Sequence, residues 1–182
     1  TLRYGRSTQI FVARLAALGY AVPGSVLALG IMMALAFVAE ASFGLIVLSG
    51  SAAALVIAYV VRFLSLSFGT LEAGFEQIAP GLDMAARSLG ADKNATLRRI
   101  HLPLLRAPLV TALLLVFVDV MKELPATLIL RPFDFETLAT QIYTYASLGQ
   151  IEDAALPALI ILTIGLVPVI FGIRVMERLR WR

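Results

Sequence analysis

The chain has 182 residues, 60% of them hydrophobic and 15% charged, with a formal net charge of +3. A soluble domain of this size would need more polar surface to cover itself, so the composition points to an integral membrane protein. The absence of cysteine excludes a disulfide framework and a thiolate metal site.

Residues 1–9 are polar and include Arg3 and Arg6, and Thr1 is not a natural start. No signal peptide precedes them, so the chain reads as a piece of a longer protein cut just before a membrane segment. An amphipathic run over 10–19, containing Arg14, then leads into the first apolar stretch. A membrane-spanning helix needs about 20 predominantly apolar residues. Four stretches meet that requirement: 22–43, 50–68, 108–130 and 154–173. Pro23 stands near the start of the first, where a missing N–H costs least. Small residues thread the spans (Gly24, Gly30, Ala54, Ala58, Gly165, Gly172), as close helix packing requires. With no internal repeat and no linker, residues 1–182 form one all-α membrane domain of four spans.

The lysines and arginines set the orientation. The polar stretch 70–107 carries Arg87, Lys93, Arg98, Arg99 and Arg106, and the C-terminal end carries Arg174, Arg178, Arg180 and Arg182. With Arg3, Arg6 and Arg14 these fall on one side of four spans, the cytoplasmic one. The other side has Arg131 against Glu40, Asp134, Glu136, Glu152 and Asp153. Arg62 lies within snorkelling reach of the cytoplasmic end of the second span, and Trp181 suits an interfacial anchor.

Within the polar stretch, Pro80-Gly81 breaks what precedes, and Asp83 is expected to cap a helix running to Leu89. Gly90 suits the C-terminal cap. Asp92 then caps a second helix, 93–101, which Pro103 terminates. Two short helices on a tight glycine turn make a compact protrusion. Ala85 and Ala86 keep its surface free of bulk, and Arg87, Arg98 and Arg99 give it basic edges.

The spacing Ala85-Ala86, Gly90, Ile100, Leu102, Pro103 resembles the coupling loop of ABC-transporter importer permeases. That family's pattern is Glu-Ala-Ala, three residues, Gly, nine residues, Ile-x-Leu-Pro, and Met84 stands here where the glutamate would be. The stretches 20–30, 117–128 and 130–139 are similar to ferric-iron importer permeases, in the C-terminal half of chains that often fuse two halves. Thiamine and phosphonate permeases share much of the pattern. The resemblance implies a multi-pass inner-membrane permease without bond chemistry of its own. Its implied partners are cytoplasmic ATP-binding subunits docked on the loop (Asp83, Met84, Ala85, Ala86, Arg87, Gly90, Ile100, Leu102, Pro103), a periplasmic or extracellular substrate-binding protein, and a second permease half. ATP would be bound by the partner, since no P-loop occurs in this chain. No cofactor, metal site or nucleic-acid partner is expected.

Asp119, Lys122 and Glu123 fall inside the third span and share a helix face at offsets of three and four. Charges at that depth face a bundle interior, pair up, or line a pathway. With Pro125, expected to kink the helix, they read either as a gate of the translocation route or as a salt bridge that fixes packing. A secondary transporter or channel driven by an ion gradient through these charges is the reading from a different class, and it leaves the loop without a role. On the outer side, 133–150 has Leu138, Ile142 and Tyr145 at helical spacing, while Tyr143 and Tyr145 suit a bilayer interface. His101, the only histidine, is assigned no metal.

Overall fold

A computed structural model describes residues 19–180. Arg3, Arg6, Arg14, Trp181, Arg182 and the amphipathic run up to residue 18 lie outside the described residues, as do the side chains of Arg178 and Arg180. Every regular element among the described residues is helical: α1 Gly24–Ala41, α2 Ala52–Glu76, α3 Pro80–Ser88, α4 Lys93–Leu104, α5 Arg106–Met121, α6 Pro125–Leu130, α7 Leu138–Ser147 and α8 Ile151–Arg180. The fold is the all-α membrane class that composition demands. Three helical stretches, α1, α2 and Ile151–Arg174 of α8, are long and apolar enough to cross a bilayer. A fourth passes only as the pair α4 plus α5, bent by 64°.

Pro23 stands at the N-cap of α1, where its missing N–H interrupts nothing, and its carbonyl accepts the Leu27 N–H at 3.0 Å. α2 opens on Ser51, whose hydroxyl accepts the Ala54 N–H at 3.4 Å. The helix runs past the predicted membrane boundary at residue 68 and ends only at Glu76. Hydropathy marks where lipid ends, not where backbone bonding ends. The Ser67 and Thr70 hydroxyls donate back to the Phe63 and Leu66 carbonyls without breaking the ladder. The polar stretch expected from residue 70 is therefore helical in its first part.

The predicted third span, 108–130, is not one helix. α5 stops at Met121, Lys122–Leu124 turn, and Pro125 occupies the first position of α6. The kink expected at Pro125 is thus a break. Its ring would meet the carbonyl four residues back, that of Met121, and it has no N–H to offer.

The core lies where α1, α2 and α6 meet: Ala28, Leu55, Ala58, Ala126 and Leu130, flanked by Ile31, Tyr59 and Ile129. Ala28, Ala58 and Ala126 have no exposed surface, so the backbones approach closely and gain dispersion contacts that lipid tails would not supply as densely. The glycines divide. A Cβ at Gly24 would strike Glu123 and Arg62, and one at Gly172 would strike Leu114, whereas Gly30 and Gly165 face open space among the described residues. α2 and α8 both pack on α5, and α7 folds back on α8.

Candidate functional site

The protrusion begins at α3 with Pro80 at its first turn, and Ala79, not Asp83, occupies the N-cap. Asp83 therefore lies inside the helix, its carboxylate in the first turn where the macrodipole favours it. At the other end Gly90 takes φ +77°, the left-handed conformation that residues with a Cβ avoid. It closes the helix by donating its N–H to the Arg87 carbonyl at 3.0 Å, while the Ala91 N–H reaches the Ala86 carbonyl at 2.9 Å. Asp92 then caps α4 as expected, accepting the Ala95 N–H at 2.7 Å.

α4 does not end at Pro103. Its middle, Leu97–His101, is a π turn in which the Leu102 N–H reaches back to the Leu97 carbonyl, and Leu102–Leu104 continue helically. The wider turn gives the Pro103 ring room that an α-helix denies it. Ala86 is buried, but Ala85, Met84, Arg87 and Leu89 are exposed, so only one of the two alanines packs inward. Ala86, Gly90, Ala95, Arg99 and Ile100 line an open groove of about 480 Å³ between the two arms. Leu102 and Pro103 are exposed and Ile100 half-buried.

Two residues here escaped the sequence reading. His101 is buried, its Nε2 stands 2.9 Å from Asp83 Oδ1, and its ring stacks on Phe75 of α2 with centroids 5.0 Å apart. Neither partner is local in sequence, so only helix packing brings them together.

The charges of the third segment form two separate groups. Because α5 ends at Met121, Lys122 and Glu123 do not share the helix face expected of them. Lys122 is exposed and pairs with Asp119 at 2.9 Å, whose other oxygen accepts the Tyr20 hydroxyl at 3.1 Å. Glu123 turns inward to Arg62, Oε2 to Nε 3.1 Å, with side chains 7% and 16% exposed. Arg62 does not snorkel; its Nη1 donates to the Val22 carbonyl at 3.0 Å. Glu123 Oε1 accepts the Ala126 N–H at 3.2 Å, satisfying one of the free donors of α6. The Thr127 hydroxyl donates to the Glu123 carbonyl at 2.6 Å and lies 2.6 Å from the Tyr59 hydroxyl. One polar hub thus joins the start of α1, the middle of α2 and the start of α6.

Before α7, Thr137 caps the helix and Glu136 pairs with Arg131. The Thr140 hydroxyl, donating to Glu136 at 2.6 Å, holds that carboxyl below its ordinary pKa, with Arg131 adding to the effect. Among the described residues no group of three or more histidine, cysteine, aspartate or glutamate side chains is placed to hold a metal ion.

Comparison with known proteins gives a family match. The family described as "Binding-protein-dependent transport system inner membrane component" matches residues 1–180. The "Fe(3+)-transport system permease protein FbpB 2" of Haemophilus influenzae is 30% identical over 92% of this chain and 32% of its own length. The "Putative 2-aminoethylphosphonate transport system permease protein PhnV" of Salmonella paratyphi A is 29% identical over 97% of the chain and 64% of its own. A "Probable molybdenum ABC transporter permease protein" of Haloferax volcanii is 36% identical over 51% of the chain and 34% of its own length. The chain thus spans about a third of the first relative and just under two thirds of the second.

Proposed function

The chain belongs to the family of binding-protein-dependent transport system inner membrane components, and from that premise we propose that it forms part of the solute path of an ATP-driven importer. In this reading residues 70–107 are the coupling loop within a single permease membrane domain, 1–182. The observation that carries it is the protrusion: two helical arms on a left-handed Gly90, with an open groove between them and exposed Met84, Ala85 and Arg87 beside it. A cytoplasmic ATPase subunit grips this knob, binds the ATP, and passes its closure into α2 and α5. Met84 offers the partner an apolar contact where a glutamate would offer a charge. The excess of arginine and lysine on this loop supports a cytoplasmic position for it.

Asp119 and Lys122 line the path, because an exposed ammonium at that depth needs a water-filled or protein-lined surface. Glu123 and Pro125 shape it from behind, by ending one helix and starting the next. A second permease half closes the route, and a periplasmic or extracellular binding protein delivers the solute. Ferric iron is the solute proposed, from the relative named for Fe(3+) transport. 2-Aminoethylphosphonate is the second reading, favoured by the fuller coverage of the relative named for it.

The test uses the full-length protein with its ATPase and binding protein in liposomes. Gly90→Trp is expected to abolish ATPase co-purification and ATP-driven uptake; retention of both overturns the docking assignment. Uptake of radiolabelled ferric iron, set against labelled 2-aminoethylphosphonate, decides the solute.

A further inference from the structure

The contact between Asp83 and His101 joins the two arms of the protrusion from within. Asp83 sits in the first turn of α3, His101 at the end of the π turn of α4, and they meet at 2.9 Å. His101 is 8% exposed, and its ring is stacked on Phe75 in the last turn of α2. One residue before Phe75, a Cβ on Gly74 would run into Pro108 of α5. Three structural segments therefore converge on one imidazole: the outer arm, the inner arm and the end of the longest described helix of the first half.

The π turn is what aims it there. An extra residue in a turn rotates everything after it by about 100° relative to a regular α-helix. In the π turn that precedes Pro103, His101 is set inward while Arg98 and Arg99 stay exposed. The remainder of α3 is held by weaker means: among its residues only Ala86 is buried. A load applied to the exposed face of α3 has a route into the membrane helices through Asp83 to His101 and, by ring stacking, from His101 to Phe75.

We propose that Asp83 and His101 are positioning residues that clamp α3 to α4 and to the end of α2, so that movement of the knob is transmitted instead of being absorbed as tilting of α3. This rests on reading the protrusion as the coupling loop. The geometric half of the claim stands apart from that reading.

Four variants of the full-length protein test it: His101→Leu, Asp83→Leu, the double variant, and His101→Gln, whose amide nitrogen can occupy the place of Nε2. Two readouts are taken, amide hydrogen exchange over residues 80–88 and solute moved per ATP hydrolysed. Either leucine variant is expected to speed exchange over 80–88 about tenfold, the scale of losing one polar contact to a charged group. Solute per ATP should fall several-fold, and in His101→Leu, which leaves every residue assigned to docking in place, the ATPase should still co-purify. The double variant should be no worse than either single one, and His101→Gln should stay near wild type. Should His101→Leu fail to accumulate in the membrane, Asp83→Leu reads the same contact from the more exposed side. Unchanged exchange in the leucine variants overturns the clamp, and so does His101→Gln behaving like leucine. Faster exchange with unchanged solute per ATP overturns the transmission role. If the wild-type protein does not bind an ATPase, the coupling reading falls, and exchange still decides the clamp.

Discussion

Glu123 and Arg62 meet at 3.1 Å in the interior, the first from the turn that ends α5 and the second from the middle of α2. Removing one partner of a buried pair strands the other charge, at about 3–5 kcal/mol. Glu123→Ala and Arg62→Ala should each lower the unfolding temperature in detergent sharply. The double variant Arg62→Met with Glu123→Leu should recover most of the loss. If Glu123→Ala melts as the wild type does, the pair is not a brace.

Close approach at Gly74 separates it from Gly30. A methyl group at Gly74 meets the Pro108 ring, which has no rotamer to yield, whereas at Gly30 nothing lies within 4 Å. Gly74→Ala should destabilise by about 1–3 kcal/mol. Gly30→Ala should be neutral or slightly stabilising, by up to about 1 kcal/mol, through lost chain entropy. Paired thermal melts in one detergent check both.

At Gly90 the backbone is the constraint, since open space surrounds a Cβ there but φ is +77°. Gly90→Ala should loosen the turn by about 1–2 kcal/mol. Gly90→Asn should lose less, because asparagine tolerates that conformation. Amide exchange at residues 90 and 91 reports the difference.

The start of α7 should be sensitive to acid. Glu136 is held below its ordinary 4.5 first by the Thr140 hydroxyl and then by Arg131. A depressed carboxyl contributes its stability above the unfolded value and loses it as pH falls through the lower folded one. Protection at the first turn of α7 should therefore persist at pH 4.5 and disappear only below it. Thr140→Val should move the Glu136 midpoint, read by carboxyl carbon NMR, up toward 4.5.

What could be read in the sequence was what local chemistry decides. Asp92 as a cap, Gly90 as a left-handed stop, and the cores of the first, second and fourth spans follow from side-chain type and short-range spacing. The end of α2 was illegible because apolarity stops at the membrane boundary while helical bonding runs on to Glu76. Pro80 was the signal that should have moved the cap from Asp83 to Ala79, since proline favours the first helical turn. The partner of Glu123 was hidden for a deeper reason. Its adjacency to Lys122 suggested local neutralisation, and only the break after Met121 turns the two side chains apart and delivers Glu123 to a different helix.

That break also says something about solvent. Acyl chains offer no hydrogen bond to a backbone whose ladder stops inside the apolar zone. Such backbone persists only against protein or water, so the stretch 122–124 keeps hydrocarbon away from itself. Lys122 accordingly stands beside backbone that calls for water or protein as its neighbour, a demand that the continuous ladder of α1 does not make.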